Sequence, residues 1–126
     1  ERLAAKASKQ SGRATVPAVT APATLADWLA ARDAHGRGDV LVCLWERETA
    51  PLAEVLPVAR PTHAAVVVGP EGGLADDEVE ALRAAGAVVA GLGPRLLRTE
   101  TAGPVAVALL QARWGDLGRR HEGGAP

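Results

Sequence analysis

The sequence predicts an α/β domain with a mainly parallel sheet flanked by helices, and three observations carry that expectation. Residues 40–45, 64–68 and 87–91 are short, continuously apolar runs without polar alternation, as in strands buried on both faces. Each is followed by a helix-like segment, giving the order β-α-β-α-β-α after an N-terminal helical piece. Two of the strand exits are polar and glycine-bearing, at the carboxyl ends where open α/β sheets bind their ligands.

In chain order, residues 1–12 read as a short helix. Leu3, Ala4 and Ala7 share one face, Arg2, Lys6 and Lys9 project elsewhere, and Ser11-Gly12 ends it. Residues 13–23 carry two prolines and read as extended. Thr24 is placed to cap a helix running to about Arg32, with Leu25, Trp28 and Leu29 on one face and Asp27 in the first turn. His35 to Asp39 is a loop, and Val40 to Trp45 the first strand. Pro51 opens a short helix to Leu56. Ala64 to Val68 is the second strand. The next helix starts at Ala75 or Asp76, where Asp76, Asp77 and Glu78 favour the positive end of the helix dipole. Val79 and Leu82 face inward, and Gly86 closes the helix. Ala87 to Gly91 is the third strand. The last helix spans roughly 101–114, with Ala102, Val105, Ala106, Leu109, Leu110 and Arg113 at helical spacing. Pro104 is acceptable only in a first turn, which places the helix start near Thr101. Residues 115–126 read as a frayed tail.

Composition narrows the function classes. A chain of 126 residues is one domain by length, and nearly half of it is apolar. The core must be built from Val, Leu, Ala and three Trp, because Phe, Tyr and Met are absent. A net charge of −1 gives no global pull toward nucleic acid or membrane. No apolar run is long enough to span a bilayer, so no membrane association is expected. The single cysteine, Cys43, rules out an intrachain disulfide and a cysteine-rich zinc site; in mid-strand it reads as a small buried hydrophobe. His35, His63 and His121 lack metal-ligand spacing and read as surface residues, so no metal is expected. A reducing, cytoplasmic compartment is the default. The sequence opens at Glu1 rather than Met, which is the expectation for a piece of a longer protein with an upstream domain.

The two special strand exits remain. Gly69-Pro70-Glu71-Gly72-Gly73 offers backbone that can adopt positive φ and approach a ligand closely. Its N–H groups, just before a helix start, suit a carboxylate, a hydroxyl or an adenine edge. The plainer alternative is a strand-to-helix turn whose glycines serve geometry alone. Leu92-Gly93-Pro94-Arg95-Leu96-Leu97-Arg98-Thr99-Glu100-Thr101-Ala102 combines leucines for an apolar slot with two guanidiniums and a carboxylate. Here the alternative is a helix start with surface ions, capped by Thr99 or Thr101.

That last stretch resembles the signature of the bacterial 16S rRNA uridine-N3 methyltransferases of the SPOUT class. Gly69 to Leu74 with Glu78 resembles the family's second signature. Lys9-Gln10-Ser11-Gly12-Arg13 with Val16-Pro17 resembles its third. Three motifs in order cover residues 1–114. The resemblance implies an α/β knot (a deep trefoil knot) over 1–114, followed by a flexible tail at 115–126. It implies S-adenosylmethionine as cofactor, a homodimer, and 16S rRNA of the small ribosomal subunit as partner. It also implies an N-terminal RNA-binding domain, expected to lie outside residues 1–126. Carried over by residue, Gly69, Glu71, Gly72 and Gly73 would line the cofactor loop. Leu92, Gly93, Arg95, Leu96, Leu97 and Thr99 would form the knot loop. Leu44, Trp45 and Glu46 would border the pocket, and Arg13, Arg98 and Glu100 would stand near the target base. Alternatives are another SPOUT enzyme acting on tRNA or 23S rRNA, and a non-catalytic RNA-docking dimerisation module.

Overall fold

A computed structural model of the chain describes residues 16–32, 39–92, 98–115 and 117. Within them the elements are α1 (Leu25–Arg32), β1 (Asp39–Leu44), α2 (Leu52–Val55), β2 (His63–Val68), α3 (Asp76–Ala84), β3 (Val88–Ala90) and α4 (Thr99–Trp114). The strands form one sheet in the order β2-β1-β3. Both pairings are parallel, with Asp39 opposite His63 and Val42 opposite Val88. The α/β reading with a parallel sheet therefore holds. The expected helix over 1–12 lies outside the described residues.

The apolar run of β1 is explained by its central place. Leu41 and Cys43 point to one face, into a core with Val79 and Leu82 of α3 and Val89 of β3; half-buried Leu25 and Leu29 of α1 pack against it. Val42 and Leu44 point to the other, into a core with Leu52, Leu56, Ala90, Ala102, Ala106 and Trp114. Each fully buried Leu or Val contributes roughly 1.5–3 kcal/mol by leaving water. Ala102 and Ala106 bring α4 close to the sheet, and Trp114 supplies bulk that an alanine-rich helix otherwise lacks. Arg113, which shares the helical spacing of this stripe, donates from Nη2 to the Leu56 carbonyl at 3.0 Å and ties α4 to the end of α2.

Local signals explain the helix ends. Thr24 Oγ1 accepts the Asp27 N–H at 3.1 Å, the cap read from the sequence. Glu78 Oε1 accepts the Ala75 N–H at 2.9 Å, satisfying a donor just ahead of α3. At the other end of α3, Gly86 has φ +92°. Its N–H donates to the Arg83 carbonyl, and that of Ala87 to the Leu82 carbonyl, at 2.9 Å each. This paired pattern ends a helix through a left-handed residue.

One boundary differs in an informative way. α4 starts at Thr99 with Arg98 as its N-cap, and no side chain caps it. The Arg98 carbonyl instead accepts the N–H groups of Thr101 and Ala102 at 2.9 and 2.8 Å. Pro104 thus falls in the second turn, and the Glu100 carbonyl loses its ordinary i+4 donor because proline has no N–H. The expectation that proline confines the helix start to about Thr101 is corrected by this one forfeited bond, which the packing of α4 on the sheet outweighs.

Candidate functional site

All three parallel strands end at one cleft of about 460 Å³, lined by their last residues Leu44, Val68 and Ala90. That volume lies in the ordinary range for a small-molecule or cofactor site. The β1 exit adds Trp45, Glu46 and Glu48. The β2 exit adds Gly69, Pro70, Glu71, Gly73 and Leu74. Gly91 and Leu92 follow β3, and Arg98, Glu100 and Ala102 come from the start of α4.

Of the residues expected from the sequence, the structure brings Leu44, Trp45, Glu46, Gly69, Glu71, Gly73, Leu92, Arg98 and Glu100 to this one cleft. Thr99 is the first residue of α4. Gly72 belongs to the same turn but does not line the cleft, and a Cβ added there would meet nothing within 4 Å. Gly93, Arg95, Leu96, Leu97 and Arg13 lie outside the described residues. Reasoning from sequence passed over Glu48, Val68, Pro70, Leu74, Ala90, Gly91 and Ala102 as lining residues. For Glu48 a signal existed: it lies in the polar run just beyond a strand's carboxyl end. For Gly91 none did, since it reads as the last residue of a strand.

The turn after β2 is fixed by its own backbone. The Gly73 N–H donates to the Pro70 carbonyl at 2.8 Å. Gly73 has φ +81°, where only glycine sits without strain, and a Cβ there would stand 3.0 Å from Glu46 Oε1. Of the two adjacent glycines, then, Gly73 takes the left-handed conformation and Gly72 does not. Trp45 Nε1 donates to the Leu74 carbonyl at 3.4 Å, joining the β1 and β2 exits. Outside the cleft, Arg47 lies 5.6 Å from the Trp45 ring and pairs with Asp76 at 2.8 Å. With both partners of that ion pair largely exposed, it contributes little to stability.

Leu44, Val68, Leu74 and Leu92 make an apolar wall, and Glu46, Glu48, Glu71 and Glu100 bring four carboxylates. Arg98 Nη1 stands 3.7 Å from Glu100 Oε1, a loose pair in which the arginine side chain is 87% exposed. Such a site suits a flat apolar group bearing hydroxyls or a positive charge. Cys43, behind the β1 exit, is buried, and desolvation pushes its thiol above its usual range against a smaller opposing pull from Arg83. It is a core residue, as its sequence context predicts. No group of His, Cys, Asp and Glu that could hold a metal occurs among the described residues. No helix among them is long and apolar enough to cross a membrane.

The chain is similar to several known proteins. The chain is 38% identical over 112 residues to the ribosomal RNA small subunit methyltransferase E of Mycobacterium bovis, covering 86% of this chain and 42% of that protein. It is 32% identical over 113 residues to the protein of the same name from Synechocystis, covering 89% of this chain and 37% of the relative. A crystal structure of a ribosomal RNA small subunit methyltransferase E from Neisseria gonorrhoeae bound to S-adenosyl methionine superposes with a TM-score of 0.80 at 31% identity. That match covers 91% of this chain and 46% of the other. The chain thus spans less than half the length of these relatives. Since the family model for the RNA methyltransferase domain matches residues 1–111, nearly the whole chain, the chain belongs to that family.

Proposed function

We propose that this chain carries the cofactor cleft and catalytic groups of an S-adenosylmethionine-dependent methyltransferase that modifies N3 of a uridine in 16S rRNA. The observation that supports this most directly is the convergence of three strand exits and the α4 start on one cleft that fits the cofactor's parts. The apolar wall suits an adenine face. Glu46 and Glu71 suit ribose hydroxyls or a cationic group, and the tight turn at Gly73 lets backbone approach closely. Gly93, Arg95, Leu96, Leu97 and Thr99 would complete the enclosure, and Gly72 would border it. The segment around them would be threaded as an α/β knot. The enzyme would act as a homodimer in the cytoplasm, on the small ribosomal subunit.

Bound there, S-adenosylmethionine would supply a reactive methyl group on a sulfonium. The protein's own task is to make uracil N3 a nucleophile and to orient it. Losing the N3 proton places charge on the flanking carbonyl oxygens. Arg98, loosely paired and exposed, is free to turn toward such an oxygen and stabilise charge as it develops. Glu100, released by that movement, can accept the proton. Arg13 is assigned beside them by the resemblance of its motif. Orientation supplies much of the remaining acceleration, because the methyl donor is already activated.

Transfer of tritium from labelled S-adenosylmethionine to small ribosomal subunits, followed by nuclease digestion and nucleoside analysis, tests this. Label in 3-methyluridine is the expected result. Label in another base would refute the uridine-N3 assignment, and binding without any transfer would favour a docking role.

A further inference from the structure

We propose that Glu48 is a positioning residue for the cofactor cleft: its carboxylate fixes the 48–52 turn, which holds Gly91 and, through it, the cleft wall at Leu92. The cleft's role rests on the function proposed above; the geometry does not. Glu48 lines the cleft but directs its oxygens toward the protein. Oε1 accepts the N–H groups of Thr49 and Ala50 at 3.1 and 3.2 Å. Oε2 faces Arg83 Nη2 of α3 at 3.6 Å, and the side chain is only 25% exposed. A carboxylate engaged in this way shapes backbone rather than offering acceptors to a ligand.

The turn it shapes grips the third strand's exit from both sides. The Gly91 N–H donates to the Ala50 carbonyl at 2.8 Å, and the Leu52 N–H donates to the Gly91 carbonyl at 2.8 Å. The fit is so close that a Cβ on Gly91 would come within 2.5 Å of the Glu48 carbonyl oxygen. The next residue, Leu92, is cleft wall. Two covalently remote strand exits, after β1 and after β3, are therefore held in mutual register by one side chain and one glycine. Together the two hydrogen bonds of Gly91 pair it with Pro51 as a single parallel bridge.

The test compares this chain with its Glu48→Gln, Glu48→Ala and Gly91→Ala variants. S-adenosylmethionine is titrated calorimetrically, and amide hydrogen exchange is followed at Gly91 and Leu52. Glutamine keeps an Oε1 acceptor for both N–H groups, so Glu48→Gln should bind within about threefold of wild type. Glu48→Ala frees both donors and should bind about tenfold more weakly or worse, with faster exchange at Gly91 and Leu52 but not at Val79. Gly91→Ala, which presses on the same turn from the other side, should lose affinity likewise. Wild-type affinity in Glu48→Ala or in Gly91→Ala would overturn the proposal. So would a Glu48→Gln variant as weak as Glu48→Ala, which would mean that the charge, and not the hydrogen bonds to the turn, carries the effect. A wild-type chain that binds no S-adenosylmethionine would refute the cofactor reading instead. The exchange data would then still decide, since unchanged protection at Gly91 in Glu48→Ala overturns the role of Glu48.

Discussion

Replacing Gly73 by alanine separates the two things that residue does. At φ +81° an L-residue is strained by roughly 1–2 kcal/mol. The new Cβ would also meet Glu46 Oε1 at 3.0 Å, the far end of a flexible side chain that can turn away at little further cost. Gly86→Ala is a matched control: φ is +92°, so the backbone strain is alike, but nothing lies within 4 Å and it is not part of the cleft. A domain of this size loses roughly 3–6 °C of Tm per kcal/mol. Both variants should therefore melt about 3–12 °C below wild type by circular dichroism. Only Gly73→Ala should also weaken S-adenosylmethionine binding, because it alone displaces a carboxylate that lines the cleft. Equal affinity in the two variants would refute the view that Gly73 and Glu46 together shape the site. An unchanged Tm in both would refute the strain argument itself.

Three further outcomes are expected. Arg98→Ala should lower methyl transfer by about 10²–10³-fold while leaving the Kd for S-adenosylmethionine within about threefold; parallel losses in both would remove its assigned role. Cys43 should resist a thiol reagent in the folded chain and react once denaturant is added. Its folded thiol is held above its usual range by burial, so the unfolded chain ionises first. Cys43 therefore adds to the loss of stability as pH rises above about 8.5; a fall in stability between pH 7 and pH 10, measured by urea melts, that is equal in wild type and Cys43→Ala would contradict this. Arg113→Ala removes the donor to the Leu56 carbonyl and should cost about 1 kcal/mol in a urea melt, with no effect on cofactor affinity.

Much of the fold is legible because single residues carry decisive physics. Thr24 announces a helix start, and Gly86 after a helical stretch announces its end. The runs Val40 to Leu44 and Ala64 to Val68 can hardly be anything but strands of a parallel sheet. The site is legible in outline, since Leu44, Gly69 and Leu92 each lie within two residues of a strand's last residue. What stays hidden is set by tertiary contact. Nothing in Gly72-Gly73 says which glycine takes positive φ; the bond from the Gly73 N–H to Pro70 decides it. Nothing marks Gly91 as more than a strand residue, because its role depends on a turn some forty positions earlier. Pro104 misleads about the start of α4 because local propensity carries no information on how much the sheet stabilises that helix.

The placement of β1 between two parallel neighbours also governs how the chain reaches its fold. Parallel strands cannot be joined by a hairpin, so neither ladder can form from residues close in sequence. Pairing Asp39 with His63 requires one loop to close, and pairing Val42 with Val88 requires a loop roughly twice as long. The longer closure costs only about 0.6 kcal/mol more entropy, but each must be met before its own ladder contributes any stability. Sheets of this kind assemble slowly for their size. Until both neighbours arrive, the run from Val40 to Leu44 has open edges and no polar residue to guard them, and a newly made chain must shield that segment from others like it.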